Sequence, residues 1–174
     1  MNIKNLKKVL ENAKDKAGNI NVGIALMLAC AASHAKIVQK ILTMDVKVND
    51  EGETVLMIAS QNGYIGIVQE LIANGANVDA KDNDGQTALM KASGCGLLDI
   101  VRELITNGAN VNAKRNDGWT SLMLASMNRQ GRIVRELIIN GAHINARNKD
   151  GETALARANG DIVNKILINA GAKE

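Results

Sequence analysis

Apolar and polar positions follow one pattern that recurs every 33 residues along the chain. The pattern reads Gly-x-Thr-x-Leu-x-x-Ala, and its four copies begin at Gly52, Gly85, Gly118 and Gly151. A fixed period of this length is typical of a solenoid, in which each unit buries its apolar face against its neighbours. The chain is therefore predicted to be a stack of similar units.

A second apolar pattern in each unit predicts an amphipathic helix. The run Ile67-Val68-x-x-Leu71-Ile72 has counterparts that begin at Ile100 and Ile133. Apolar residues at i, i+1, i+4 and i+5 share one helical stripe, and the Asn-Gly pair after each run indicates the helix C-terminus. The Thr of the opening phrase predicts the N-cap of a first helix of about eight residues. Each unit is thus predicted to be helix, turn, helix and a loop rich in Gly and Asn.

These phrases resemble the ankyrin repeat, which has about 33 residues and opens its first helix with Thr-Pro-Leu-His-x-Ala. The resemblance covers residues 21–174 and implies an all-α solenoid of stacked antiparallel helix pairs with β-turn finger loops. The chain departs from the family phrase because it contains no Pro, and because Met57, Met90 and Met123 replace the His. In the family that His helps to hydrogen-bond adjacent repeats. We expect the Met side chains to fill the core instead.

The same alignment predicts how the chain is organised. It gives a single ankyrin-repeat domain over residues 1–174, with a capping helix in 1–20, repeats at about 21–51, 52–84, 85–117 and 118–150, and a shortened capping repeat in 151–174. Terminal units need one solvated face. The register of Ile162-Val163 in the last helix stays open.

Charge adds little to the choice of partner. The net charge of +3 is carried by residues 1–16, which leaves the rest of the chain balanced. The pairs Arg102-Glu103 and Arg135-Glu136, with Arg132, predict a solvated face of mixed charge on the second helices. DNA binding rests on many phosphate contacts, so no nucleic-acid partner is expected.

The residues before Cys30 read Leu-Met-Leu-Ala and imitate the end of a bacterial lipoprotein signal. However, the polar segment before them contains Glu11 and Asp15, which such signals avoid. No stretch reaches the length of a membrane span. The chain is predicted to be a cytoplasmic monomer that binds no membrane.

Cys30 and Cys95 lie two repeats apart, too far for a disulfide, so both are predicted to be free thiols.

No residue pattern predicts catalysis, a metal or a cofactor. His34 and His143 recur in no other unit, so surface positions are expected. The run Asp82-Asn-Asp84-Gly85 resembles a calcium loop, but Ala80 and Lys91 stand where further ligands are required. Asp and Gly also suit a tight turn. The chain is not expected to be an enzyme.

The resemblance therefore implies a non-catalytic protein–protein interaction module that binds a protein on a concave face of finger loops and first helices. The positions it assigns to that face are Glu51, Glu53, Gln61, Asn62, Asn83, Asp84, Gln86, Asn116, Asp117, Trp119, Met127, Asn128, Lys149, Asp150 and Glu152. Trp119 aligns with polar residues in the other units, so we expect an exposed ring and an interface hot spot.

Two alternatives remain from the sequence. A structural or engineered scaffold would need no natural ligand, but the unequal end units and Arg129, at the position of Gly63 and Gly96, argue against regular design. A small-ligand binder would need stacked aromatic rings and clustered basic side chains in the groove. Among the aromatic residues only Trp119 meets that requirement.

Overall fold

The computed structural model describes residues 52–173, so the predicted N-terminal cap, the first repeat, Cys30, His34 and Glu51 lie outside the described residues. Helices are the regular elements of this part of the chain. They are α1 (Val55–Gln61), α2 (Ile65–Ala73), α3 (Ala88–Cys95), α4 (Leu98–Thr106), α5 (Ser121–Met127), α6 (Gly131–Ile139) and α7 (Asp161–Asn169). Within residues 52–173 the fold is therefore all-α.

The helices α1, α3 and α5 each begin directly after the predicted N-cap Thr. Thr54, Thr87 and Thr120 have extended backbones, and each side-chain oxygen accepts a hydrogen bond from the backbone N–H three residues later. The three helices that follow have 7, 8 and 7 residues. At the first of them Met57 Sδ also accepts from the backbone N–H of Thr54 at 3.4 Å, which completes a capping box. The sequence-based prediction of these helix starts is confirmed.

The second helices end as the Asn-Gly pairs predict. After α2, the N–H of Gly75 donates to Ile72 O and the N–H of Ala76 donates to Leu71 O. This is a Schellman motif, and it requires the positive φ of 86° that Gly75 adopts. The same pair of hydrogen bonds closes α4, α6 and α7.

First helices pack on first helices, and second helices pack on second helices, so that α1, α3 and α5 form one layer and α2, α4, α6 and α7 form the other. The core lies between the layers. Met57, Met90 and Met123 are completely buried in it, which confirms that they fill the core. Their second-helix counterparts Leu71 and Leu104 are equally buried.

The finger loops pair with one another across repeat boundaries. The backbone N–H of Asn116 donates to Asp84 O at 2.8 Å, and the N–H of Lys149 donates to Asp117 O at 2.9 Å. Within the first of these fingers, Asp82 Oδ1 accepts from the N–H groups of Asp84 and Gln86. The acidic run that resembles a calcium loop is therefore a hydrogen-bonded tight turn.

The last unit differs from the predicted helix pair. Residues 154–157 form turns and no α-helix, because three fewer residues separate Gly151 from α7 than separate Gly118 from α6.

The structure also resolves the register of α7. Val163 and Leu167 are buried, whereas Ile162 is 71% exposed. Val163 and Leu167 thus take the inward positions that Ile133 and Leu137 take in α6.

Candidate protein-binding surface

The predicted binding residues differ in how far solvent reaches them. Gln61, Asn62, Asn83, Asp84, Asn116, Asn128, Lys149 and Asp150 are exposed. Gln86, Asp117, Met127 and Glu152 are half-buried, and Glu53 and Trp119 are buried. Exposure of Glu53 and Trp119 was expected from the sequence, and that expectation is wrong.

Glu53 is held inside the array by a basic residue of the next repeat. Lys91 Nζ lies 2.5 Å from Glu53 Oε1 and 3.2 Å from Asp82 Oδ2, and all three side chains are nearly excluded from water. Burial of the ammonium acts to lower the pKa of Lys91, but its hydrogen bonds to Glu53 and Asp82 outweigh burial and raise that pKa. Glu53 therefore joins two repeats.

Trp119 contacts two guanidinium groups and is only 8% exposed. The ring centroid is 5.1 Å from Arg157 Cζ and 5.6 Å from Arg115 Cζ, distances at which a cation is attracted to the face of an aromatic ring. Arg157 belongs to the next unit and also contacts Glu152 and Met127 Sδ. The ring packs at the boundary between two units, so most of its surface is inaccessible to a partner.

Arg115 is itself held by an acid of the same finger. Its Nε donates to Asp117 Oδ1 at 2.7 Å, and its second guanidinium nitrogen pairs with Asp117 Oδ2. The hydrogen bond from Arg115 is the main cause that lowers the pKa of Asp117, and it raises the pKa of Arg115 in turn. Asp117 thus orients a cation over Trp119.

A sequence signal for the burial of Trp119 existed. Lys91 follows Glu53 by 38 residues, and Arg157 follows Trp119 by the same interval. Comparing position 119 only with Glu53, Gln86 and Glu152 suggests a polar, solvent-facing site. Comparing pairs at this interval places a basic side chain of the following unit against Glu53 and against Trp119.

The exposed amides of Asn116 and Asn128 form cross-repeat hydrogen bonds. Asn116 Nδ2 donates to Asn83 O at 2.9 Å, and Asn128 Nδ2 donates to Gly94 O at 2.9 Å. Both side chains fix the spacing of neighbouring units while they remain at the surface. By contrast, Asp84, Lys149 and Asp150 project from the fingers as exposed charged groups.

Within the described range, no group of three or more His, Cys, Asp and Glu side chains could hold a metal ion. None of the seven helices between residues 52 and 173 has both the length and the apolar character needed to cross a bilayer. Cys95 is a free, exposed thiol, and His143 is also exposed.

Comparison with known families identifies the repeats. A family model described as ankyrin repeats (3 copies) matches residues 2–82 and 67–148. A search of curated protein sequences found no significant match. Ankyrin repeats are in general protein–protein interaction modules, and the family is typically non-catalytic. From the family match and the stacked helix pairs, the chain belongs to the ankyrin-repeat family.

Proposed function

We propose that the chain is a non-catalytic module that binds a protein partner on the face formed by its finger loops and first helices. The observation that carries the proposal is a set of exposed polar side chains on pre-ordered loops. Asp84, Lys149 and Asp150 lie on the fingers, and Gln61 lies at the end of α1.

The fingers support binding because they are ordered before a partner arrives. The backbone hydrogen bonds from Asn116 to Asp84 and from Lys149 to Asp117 hold adjacent fingers together. Lys81 Nζ also reaches Lys114 O at 2.9 Å across a repeat boundary. Loops that are already ordered lose less conformational freedom on binding, so more of the contact energy contributes to affinity.

The charges of this face favour a partner with basic and polar groups. Asp84 and Asp150 are exposed acids, and Lys149 is the basic residue among the predicted finger positions. The proposed setting is the cytoplasm, with the chain acting as a monomer. The small-ligand alternative loses its main support, because the ring that it required, Trp119, is buried against Arg115 and Arg157.

Affinity capture with matched variants tests the proposal. The full chain is immobilised, proteins are captured from a lysate of the source organism, and the retained species are identified by mass spectrometry. Asp84→Arg with Gln61→Arg alters the proposed face. Glu70→Arg with Thr106→Arg makes the same charge change at exposed positions of the second helices.

We expect the first double variant to lose the captured protein by about tenfold, equivalent to about 1.4 kcal/mol. The second should retain it, and both should melt at the temperature of the unmodified chain. Equal retention by the two variants would contradict a binding face on the fingers and first helices.

A further inference from the structure

A groove of about 620 Å³ lies between the last two helices, α6 and α7, on the side of the second helices. Its apolar floor consists of Ile162, Val163 and Ile166. Three arginines line its edge, namely Arg129, Arg132 and Arg135, and Asp161 is the acid among its lining residues. The groove thus combines an apolar surface with an excess of positive charge.

One helix position beside the groove lacks a side chain, so that α7 packs closely against α6 there. Ile65 and Leu98 occupy the first residue of α2 and α4 and pack against the core. The equivalent residue of α6 is Gly131, and a Cβ built there would lie 3.3 Å from Ile166 Cδ1 and 3.6 Å from Ile162 Cγ2. Beside this close contact the floor stays accessible to solvent, and Ile162 is 71% exposed.

The positive charge arises because the side-chain pairs between successive second helices do not continue from α6 to α7. Gln69 Nε2 donates to Glu103 Oε2 at 3.0 Å, and Arg102 Nε donates to Glu136 Oε2 at 2.8 Å. The next donor in this series is Arg135. Its counterpart on the following helix is apolar, because α7 carries Ile166 where α6 carries Glu136.

Arg135 and Arg132 are consequently available to a ligand. Both are exposed, and neither guanidinium has an ion pair or a hydrogen bond within residues 52–173. The third arginine, Arg129, is oriented at the end of the groove by a hydrogen bond of 3.1 Å from its Nε to Asn159 Oδ1. A guanidinium can bind a carboxylate through two parallel hydrogen bonds. On the same face of the array, Arg102 already binds the carboxylate of Glu136.

We propose that this groove docks an acidic amphipathic segment of a partner protein, at a site separate from the finger face. A carboxylate of the segment pairs with Arg135 and Arg132, which supplies the acid that α7 lacks. An adjacent apolar side chain covers Ile162 and Ile166. A free inorganic anion would satisfy the arginines but leave the apolar floor in water, so the combination favours a peptide.

The test uses the full chain and a short fluorescent peptide of Leu and Glu in helical amphipathic order. Fluorescence anisotropy measures the affinity of the chain for this peptide. The same peptide with Gln for Glu, and inorganic phosphate as competitor, separate peptide recognition from simple anion binding. A short single-stranded RNA serves as a further competitor.

Two variants remove the proposed contacts. Arg132→Gln with Arg135→Gln should weaken peptide binding by about tenfold, equivalent to about 1.4 kcal/mol. Lys149→Gln with Lys173→Gln has the same charge change at exposed positions outside the groove and should leave the affinity nearly unchanged. Gly131→Leu should also weaken binding, because its side chain would press on Ile162 and Ile166 in the groove floor without altering any charge.

The proposal fails if the peptide does not bind, if the Gln-containing peptide binds equally well, or if the lysine variant weakens binding as much as the arginine variant. It also fails if phosphate or RNA binds the groove more tightly than the peptide does. Asp84→Arg distinguishes this site from the finger face, since it should leave peptide affinity intact. Failure here would therefore leave the function proposed for the fingers untouched.

Discussion

Arg157 lies over the ring of Trp119 with its Cζ 5.1 Å from the ring centroid, and this contact joins two successive units of the array. The residues 33 positions earlier, Gln86 and Leu124, are polar and apolar. Those 66 positions earlier, Glu53 and Lys91, form an ion pair. The residues aligned with this pair therefore differ in chemistry from one boundary to the next within residues 52–173.

Replacement of Trp119 by Ala should destabilise the array. The ring is buried and contacts two guanidinium groups, so we expect a loss of about 3 kcal/mol, at the lower end for large aromatic truncations. Urea unfolding followed by circular dichroism measures it. Lys149→Ala, at an exposed position of the neighbouring finger, should change stability by less than about 0.5 kcal/mol. Similar losses in the two variants would contradict the buried position of the ring.

Replacement of Lys91 by Met should cost about 3 kcal/mol, because it leaves the carboxylates of Glu53 and Asp82 buried without their cation. Urea unfolding at neutral pH measures the loss. Lys81→Met provides the control, since Lys81 is exposed and its Nζ bonds only to the backbone oxygen of Lys114. A loss in the Lys91 variant no larger than in the Lys81 variant would contradict a stabilising role for the buried cluster.

The same cluster predicts the response of the array to alkali. The folded pKa of Lys91 is raised above its ordinary value of 10.5. The stability from this shift is complete below that ordinary value and is lost as pH rises through the folded pKa. Urea midpoints of the unmodified chain should therefore fall above about pH 10.5 more steeply than those of Lys91→Met. Parallel curves for the two proteins would contradict the prediction.

The buried serines offer a matched pair of substitutions. Ser93 and Ser126 are equivalent residues of α3 and α5, and both are completely buried. Ser126 Oγ donates to Leu122 O at 2.7 Å, whereas Ser93 Oγ has no hydrogen-bond partner. Ser93→Ala should be neutral or stabilising by up to about 1 kcal/mol, and Ser126→Ala should cost about 1 kcal/mol. The opposite order in thermal unfolding would show that the two hydroxyls are bonded differently.

Arg129 is the non-Gly residue of the described range with a positive φ, 62°, where Gly63 and Gly96 have 82° and 81°. An L-residue in this conformation costs about 1–2 kcal/mol. Arg129→Gly should therefore stabilise the array by about 1 kcal/mol. The gain is reduced by the loss of the exposed hydrogen bond from Arg129 to Asn159. The reciprocal control, Gly63→Ala, should destabilise by a similar amount. A loss of stability in Arg129→Gly would show that the Arg129 side chain contributes more than the strain costs.

The sequence predicted those features that depend on residues close together in the chain. The Thr caps, the Asn-Gly helix ends and the Met core follow from local backbone needs repeated in each unit. Burial of Trp119 could not be predicted from its own aligned position, because it depends on Arg157 of another unit. The groove beside α6 was also missed, since it requires Gly131, Arg135 and Ile166 to be considered together.

The residue pairs at successive boundaries also bear on the order in which the array comes apart. Each unit is stabilised mainly by its neighbours, so the weakest boundary opens first. Among the boundaries within residues 52–173, the one before residues 154–157, which form turns in place of a helix, is expected to be weakest at neutral pH. In strong alkali Lys91 loses its charge while Arg157 keeps its own. Unfolding should then begin at the boundary between residues 52–84 and 85–117. The pH would therefore determine where in the array unfolding begins.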